Sequence, residues 1–274
     1  MAVSSKSKLV VEHNDMKVTF DNKGHVYKVY RNGKLAYKPI SVTTLIHKYQ
    51  KPFDLEGMSL KCAQKEGVTQ EEIKKRWAKI NRTACGYGTK MHKVAEDVFN
   101  GVEVDSSKFT KEENAVYSQI TTVIDKMWKR PYVYESEKIV FDPSINVAGT
   151  IDLLGRNPKT NDYVIVDWKT NKRIRMSNEW GDTFLSPMED LADCEFNLYG
   201  LQLSLYEKIL KDGGFVPKDS NFKKFICHFH PVDGVHFHEV TDDVFVPQLS
   251  KMLKDWDARQ NRIKELSASL PDGF

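Results

Sequence analysis

Asp152 interrupts an apolar run, Gly149-Thr-Ile-Asp-Leu-Leu, and Asp167 stands near the end of another, Tyr163-Val-Ile-Val-Asp-Trp-Lys, 15 residues later. Lys169 follows two residues beyond Asp167. Strand side chains alternate with a period of two, so this acid and base share a face. The turn-rich stretch between the runs, Asn157-Pro-Lys-Thr-Asn-Asp162, predicts a hairpin that lays Asp152 beside Asp167. Two bare carboxylates so placed repel, and one pKa rises, unless a positive charge sits between them. A divalent cation such as Mg²⁺ or Mn²⁺ answers that need, taking oxygen ligands and leaving positions for water and a phosphate. The Trp168 main-chain carbonyl could add an oxygen. Lys169 could orient or deprotonate an attacking water, or balance charge on a five-coordinate phosphorus. The plain alternative is a surface ion pair at strand ends, worth little energetically. That both acids interrupt apolar strands speaks against it.

The elements that would position these groups follow from periodicity. Residues 16–40 alternate apolar and polar around two turn signals, Asn22-Lys23-Gly24 and Asn32-Gly33, which predicts a three-stranded meander. A short helix begins at Ser41. From about Asp54 to Asn100 the period becomes helical, in three segments divided at Gly67 and at Gly86–Gly88. Thr110 with Glu113 forms a capping box before another amphipathic helix, which Pro131 ends. Three strands follow with short connections, as antiparallel neighbours. A loop around Trp180–Glu189 leads to a long helix closed by Gly213-Gly214. Then come a hairpin over KKFICHFHPVDGVHFHEV and a last helix from Thr241 towards Leu270. The expected class is α/β, a central mixed β-sheet flanked by helices, with an N-terminal β-meander and a helical wall.

The string G-T-I-D, then D-W-K-T, then Gln202 and Tyr206 in GLQLSLYEKIL resembles the PD-(D/E)XK nuclease superfamily, and within it the RecB-type exonuclease branch. The resemblance covers roughly residues 84–211, in order, and is similar to the phage and mitochondrial genome maintenance single-strand exonucleases. Each motif is weak alone; their order on the expected elements makes them specific. Ile151 replaces the nominal proline before the first acid. The resemblance implies a restriction-endonuclease-like core with Asp152 as first metal-binding acid, and Asp167 with Lys169 as the D/E-x-K pair. His92, in GTKMHKVAEDVF, would be an added metal ligand, with Glu96 one turn on; Glu137 matches an acid on the first core strand. Gln202 and Tyr206 would sit on the helix beside the site. It also implies one nuclease domain: residues 1–83 the meander and helical extension, 84–240 the core, and 241–274 the C-terminal helix. The activity implied is metal-dependent hydrolysis of DNA, exonucleolytic on single strands or ends, leaving 5′-phosphates. The rival is a DNA-binding or scaffold protein that keeps the fold without catalysis.

Composition bounds these readings. With 29% charged residues and net charge +3, affinity for nucleic acid must come from local patches. Lys172, Arg173 and Arg175 directly follow the proposed active strand, where a phosphate backbone would lie. Trp77, Trp168 and Trp180 are aromatic enough to stack on bases, though core packing explains Trp77 as well. The cluster from Lys74 to Arg82 reads as an ordinary solvated helix face. No run is apolar enough for a membrane span, and the N-terminus lacks a secretory core. Cys62, Cys85, Cys194 and Cys227 are scattered, so no zinc ribbon or iron–sulfur cluster is expected, and free thiols point to the cytosol of a bacterium or an infected host, ahead of the mitochondrion.

Three further sets are open to two readings each. His92 and Glu96 are either ligands or an exposed i,i+4 pair. Gln202 and Tyr206 either contact DNA or form a hydrogen-bonded core edge. His228, His230, His236 and His238 alternate on the predicted hairpin and could share one face, which would admit a metal site. A solvated polar face is expected there, with Phe229 and Phe237 pointing inward on the other.

Overall fold

The structure is a computed structural model and describes residues 10–268 except 14, 22, 23 and 25. Asn22 and Lys23 of the first expected turn, and the expected helix end at Leu270, lie outside the described residues.

Alternation in the first forty residues becomes β1 (Val10–His13), β2 (Met16–Asp21), β3 (Val26–Arg31) and β4 (Lys34–Tyr37), one antiparallel sheet in chain order. The meander thus has one strand more than the period predicted. Asn32 and Gly33, both at positive φ, make the two-residue turn that joins Arg31 to Lys34. After the short β5 (Ile40–Ser41), the Ser41 hydroxyl accepts the Thr44 N–H and starts α1 (Val42–His47). Asp54 caps α2 (Leu55–Glu66), and Gly67, in the left-handed region, ends it.

The next helix corrects the reading of a break at Gly86–Gly88. α3 runs unbroken from Gln70 to Phe99, opened by a Thr69/Glu72 capping box. Glycine in a helix interior costs about 1 kcal/mol relative to alanine but does not by itself end a helix, and neither glycine has positive φ. α4 (Lys111–Trp128) starts from the expected Thr110/Glu113 box.

The strands β6 (Val133–Asp142), β7 (Val147–Arg156) and β8 (Tyr163–Lys169) are successive antiparallel neighbours, as the turns predicted. A crossover through α5 (Glu195–Asp212) brings β9 (Phe222–His230) parallel to β8, and β10 (Gly234–Val240) folds back on β9. α6 (Asp242–Ala268) closes the chain. The sheet is therefore mixed and lies between helices, an α/β architecture. Its one face packs against α1, α5 and α6 through Ile165, Leu203 and Phe245; the other packs against α3 and α4 through Val166, Trp168 and Ile120. The meander adds a third cluster, in which Val18, Tyr27 and Val29 meet Ile139 and Phe141 of β6.

One topological detail matters for chemistry. The edge of β7 away from β6 pairs with β5 at Val147–Ala148 and with β8 from Leu153 onward. Neither strand pairs with residues 149–152, so Asp152 sits where the ladder opens.

Candidate active site

The β7–β8 register matches Leu153 with Val166 and Leu154 with Ile165, which puts Asp152 opposite Asp167 one step further on. Leu153 and Val166 belong to the α3/α4 face, Leu154 and Ile165 to the α1/α5/α6 face. Asp167 turns to the α5 face, where Gln202 lies, while Asp152 meets the Trp168 N–H and His92 of α3 at the gap the open ladder leaves. Where the ladder opens, the Trp168 N–H donates to Asp152 Oδ2 at 2.8 Å instead of to a strand carbonyl. Trp168 thus enters the site through its main-chain N–H.

Asp167 is 3% exposed. Its Oδ1 accepts from Gln202 Nε2 of α5 at 3.0 Å, and its Oδ2 forms an ion pair with Lys169 but has no well-aligned hydrogen bond. Burial raises the Asp167 pKa and the nearby Asp152 raises it further, while Lys169 works in the opposite sense. For Lys169, burial disfavours the ammonium, but the Asp167 and Asp152 carboxylates outweigh that and hold its pKa above the usual value. Lys169 is a cation here. Its Nζ also lies 4.4 Å from the centre of the Tyr199 ring.

The third side comes from α3 and β6. His92 Nδ1 stands 3.5 Å from Asp152 Oδ2. Glu96, one turn along, pairs with Lys93 at 3.1 Å. Glu137 interrupts its strand with φ of +50°, a conformation uncommon outside glycine, between the pairs Ser136–Leu153 and Lys138–Ile151. Burial, then Asp152 and Glu96, push its pKa up to about 8. Glu96, Glu137, Asp152 and Asp167 thus form one repelling group.

The donor set is hard carboxylate oxygen plus one imidazole, which suits Mg²⁺ or Mn²⁺ better than a thiophilic ion. The buried Oδ2 of Asp167, lacking a good hydrogen bond, and the raised carboxylates fit a positive guest by the same logic. Among the described residues no three His, Cys, Asp or Glu side chains already stand as a ligating group. A cation would have to draw the acids closer together than they stand.

Other expected residues are placed differently. Gln202 and Tyr206 are both buried; the amide donates to Asp167 and, at 3.4 Å, to the Tyr206 hydroxyl. Tyr206 packs over Gly149, where an added Cβ would stand 2.5 Å from its ring. These two therefore position the acid, and no base can reach them. Trp168 is 4% exposed and packs on Phe229, which removes it as a stacking surface; Trp77 is half-buried against Phe53. Trp180 is 73% exposed. Arg175 lies 5.8 Å from the Trp180 ring and forks onto Glu195 at 2.6 and 2.7 Å, so its guanidinium is already engaged. Lys172 and Arg173 are exposed.

Two tyrosines were missed. Tyr27 of β3 hydrogen-bonds Thr150 at 2.8 Å; burial, with Glu137 and Asp152 adding to it, raises its pKa to about 12. Tyr199 lies one turn before Gln202, a spacing that could have exposed it; nothing in the sequence links Tyr27 to Thr150.

The histidines do share a face: His236 is the register partner of His228, and ring centres lie 6.1 to 6.5 Å apart. That face is not uniformly solvated, since His228 is buried and bonds the Asn171 carbonyl at 2.6 Å. Phe229 points inward as expected, but Phe237 is 51% exposed on β10, the terminal strand of the sheet. The four cysteines are free. No helix among the described residues is long and apolar enough to cross a membrane.

No protein-family model and no curated protein matches this chain. Among solved structures, it is similar to a crystallised candidate exonuclease from Eubacterium rectale, with a TM-score of 0.38 and 13% identity over 65% of this chain and 68% of that one. At that score the likeness carries no weight for fold or activity.

Proposed function

We propose that this protein is a divalent-metal-dependent deoxyribonuclease that digests single-stranded DNA or DNA ends exonucleolytically and leaves 5′-phosphates. One observation carries the reading: Asp152 and Asp167 stand on adjoining strands close enough to act on each other, where the β7 ladder opens, beside Lys169 and a Glu137 whose carboxyl is pushed up to about 8. The resemblance to RecB-type PD-(D/E)XK nucleases supports the reaction class.

Asp152 and Asp167, with His92, would hold Mg²⁺ or Mn²⁺, and Glu137 and Glu96 would complete or tune the set. When bound, the metal supplies an acidified water and neutralises phosphate charge. Gln202 holds Asp167 in orientation, and the Trp168 N–H does the same for Asp152. Lys169, a cation, faces the charge that develops on the phosphate oxygens. Lys172 and Arg173 take the incoming backbone, and Trp180 offers an exposed face to a base. α2 and the first half of α3 form a wall beside the strand.

End-labelled single-stranded DNA with Mg²⁺ or EDTA tests this, with Asp167→Asn and Lys169→Ala beside the parent. Hydrolysis should require the metal and fall in both variants by about 10³-fold or more. Undiminished hydrolysis by either variant refutes the assignment. The Asp167–Lys169 ion pair also favours a second reading, a non-catalytic DNA-binding scaffold in which those residues are structural. Binding without cleavage by the parent would establish that reading instead.

A further inference from the structure

On the face of the sheet that α4 covers, a groove of about 750 Å³ lies over the β8–β9–β10 end. Its floor is apolar, made by Val164, Val166, Phe225, Val235 and Phe237. Phe225 and Phe237 meet edge to face, 6.5 Å between centres, and Phe237 is half exposed to solvent. Lys126 of α4, Arg130 just beyond its end and Lys223 of β9 stand on the rim, all exposed. No aspartate or glutamate lines the groove, and none of the three cations has an ion pair within 4 Å among the described residues. Lys223 does feel Asp162 from a distance. An apolar trough bordered by uncompensated positive charge calls for a ligand that is apolar and anionic at once.

We propose that this groove docks an acidic peptide segment of a partner protein, with leucine or phenylalanine side chains in the trough and its carboxylates on Lys126, Arg130 and Lys223. One feature favours a peptide over nucleic acid. The groove borders β10, the terminal strand, whose outer edge is unpaired among the described residues and can hydrogen-bond an extended main chain. None of the proposed site residues lines the groove, so docking there leaves them free.

The test uses fluorescence anisotropy with the full chain and a short labelled peptide of aspartate, leucine and phenylalanine. Comparators are the same peptide with asparagine for aspartate, and labelled oligo-thymidine. The acidic peptide should bind, weaken with salt, and lose about tenfold or more in affinity in the double variant Lys126→Glu/Arg130→Glu and in Phe237→Asp. Thermal midpoints near the parent's show that these exposed substitutions leave the fold intact. The proposal is overturned by absent peptide binding, by equal binding of the asparagine peptide, or by unchanged affinity in the folded double variant. If that variant instead loses oligo-thymidine and not peptide, the groove is a nucleic-acid path. Sedimentation that finds a dimer dispersed by Phe237→Asp would make the occupant a second copy.

Discussion

A carboxyl group crowded by two others resists ionising, and Glu137 is held in that state by burial and by Asp152 and Glu96. Its folded pKa, about 8, lies above the ordinary value of 4.5, so folding favours the protonated form. That contribution is complete below the unfolded pKa and is lost as pH rises through about 8. In EDTA, chemical denaturation at pH 5 and pH 8.5 should show the parent losing about 2 kcal/mol more than Glu137→Gln; this is less than full linkage because the side chain is partly exposed. Equal losses would mean that the carboxylates are not crowded. Gln202 tests the other acid. Gln202→Leu strips Asp167 Oδ1 of its donor, and metal-dependent cleavage should fall about 10–100-fold in kcat with little change in KM.

At the scale of elements, close approach governs two glycines in different ways. Gly149 lets Tyr206 lie against β7, since an added Cβ would stand 2.5 Å from the ring and 3.0 Å from Val42 Cγ2. Gly149→Ala should therefore cost about 1–3 kcal/mol in a denaturant titration, and Tyr206→Leu should relieve part of that cost in the double variant. Gly86 is the reverse case: it lies inside the continuous α3 with open space where a Cβ would go. Gly86→Ala should stabilise the protein by about 0.5–1 kcal/mol. A destabilised variant would mean that the helix breaks there after all.

Across the whole molecule, Glu96, Glu137, Asp152 and Asp167 gather at one site while Lys172 and Arg173 are exposed beyond the end of β8, on a chain whose net charge is only +3. Attraction for a phosphate backbone must then be local. Lys172→Ala/Arg173→Ala should lower the slope of log affinity against log salt for single-stranded DNA by roughly 1.4, about 0.7 per lost contact. Arg175→Ala should leave that slope nearly unchanged and lower the thermal midpoint, because its guanidinium is spent on Glu195. A filter-binding series over several salt concentrations measures both.

Periodicity, turn chemistry and caps are local, and the sequence alone was enough for them. It set the alternation of β2–β4, the Asn32-Gly33 turn, the Thr110/Glu113 box and the β6–β7–β8 hairpins that bring Asp152 towards Asp167. A period of two also sufficed to put Asp167 and Lys169 on one face. What depends on distant partners could not be read there. Whether Gly86–Gly88 breaks a helix depends on competition between a small local cost and the turns on either side. The inward turn of Trp168, the engagement of Arg175 by Glu195, and Tyr206 over Gly149 each join residues far apart in the chain. The electrostatic strain at Glu137 exists only because β6, β7 and α3 converge, and Coulomb repulsion depends on separation in space, which sequence spacing does not record.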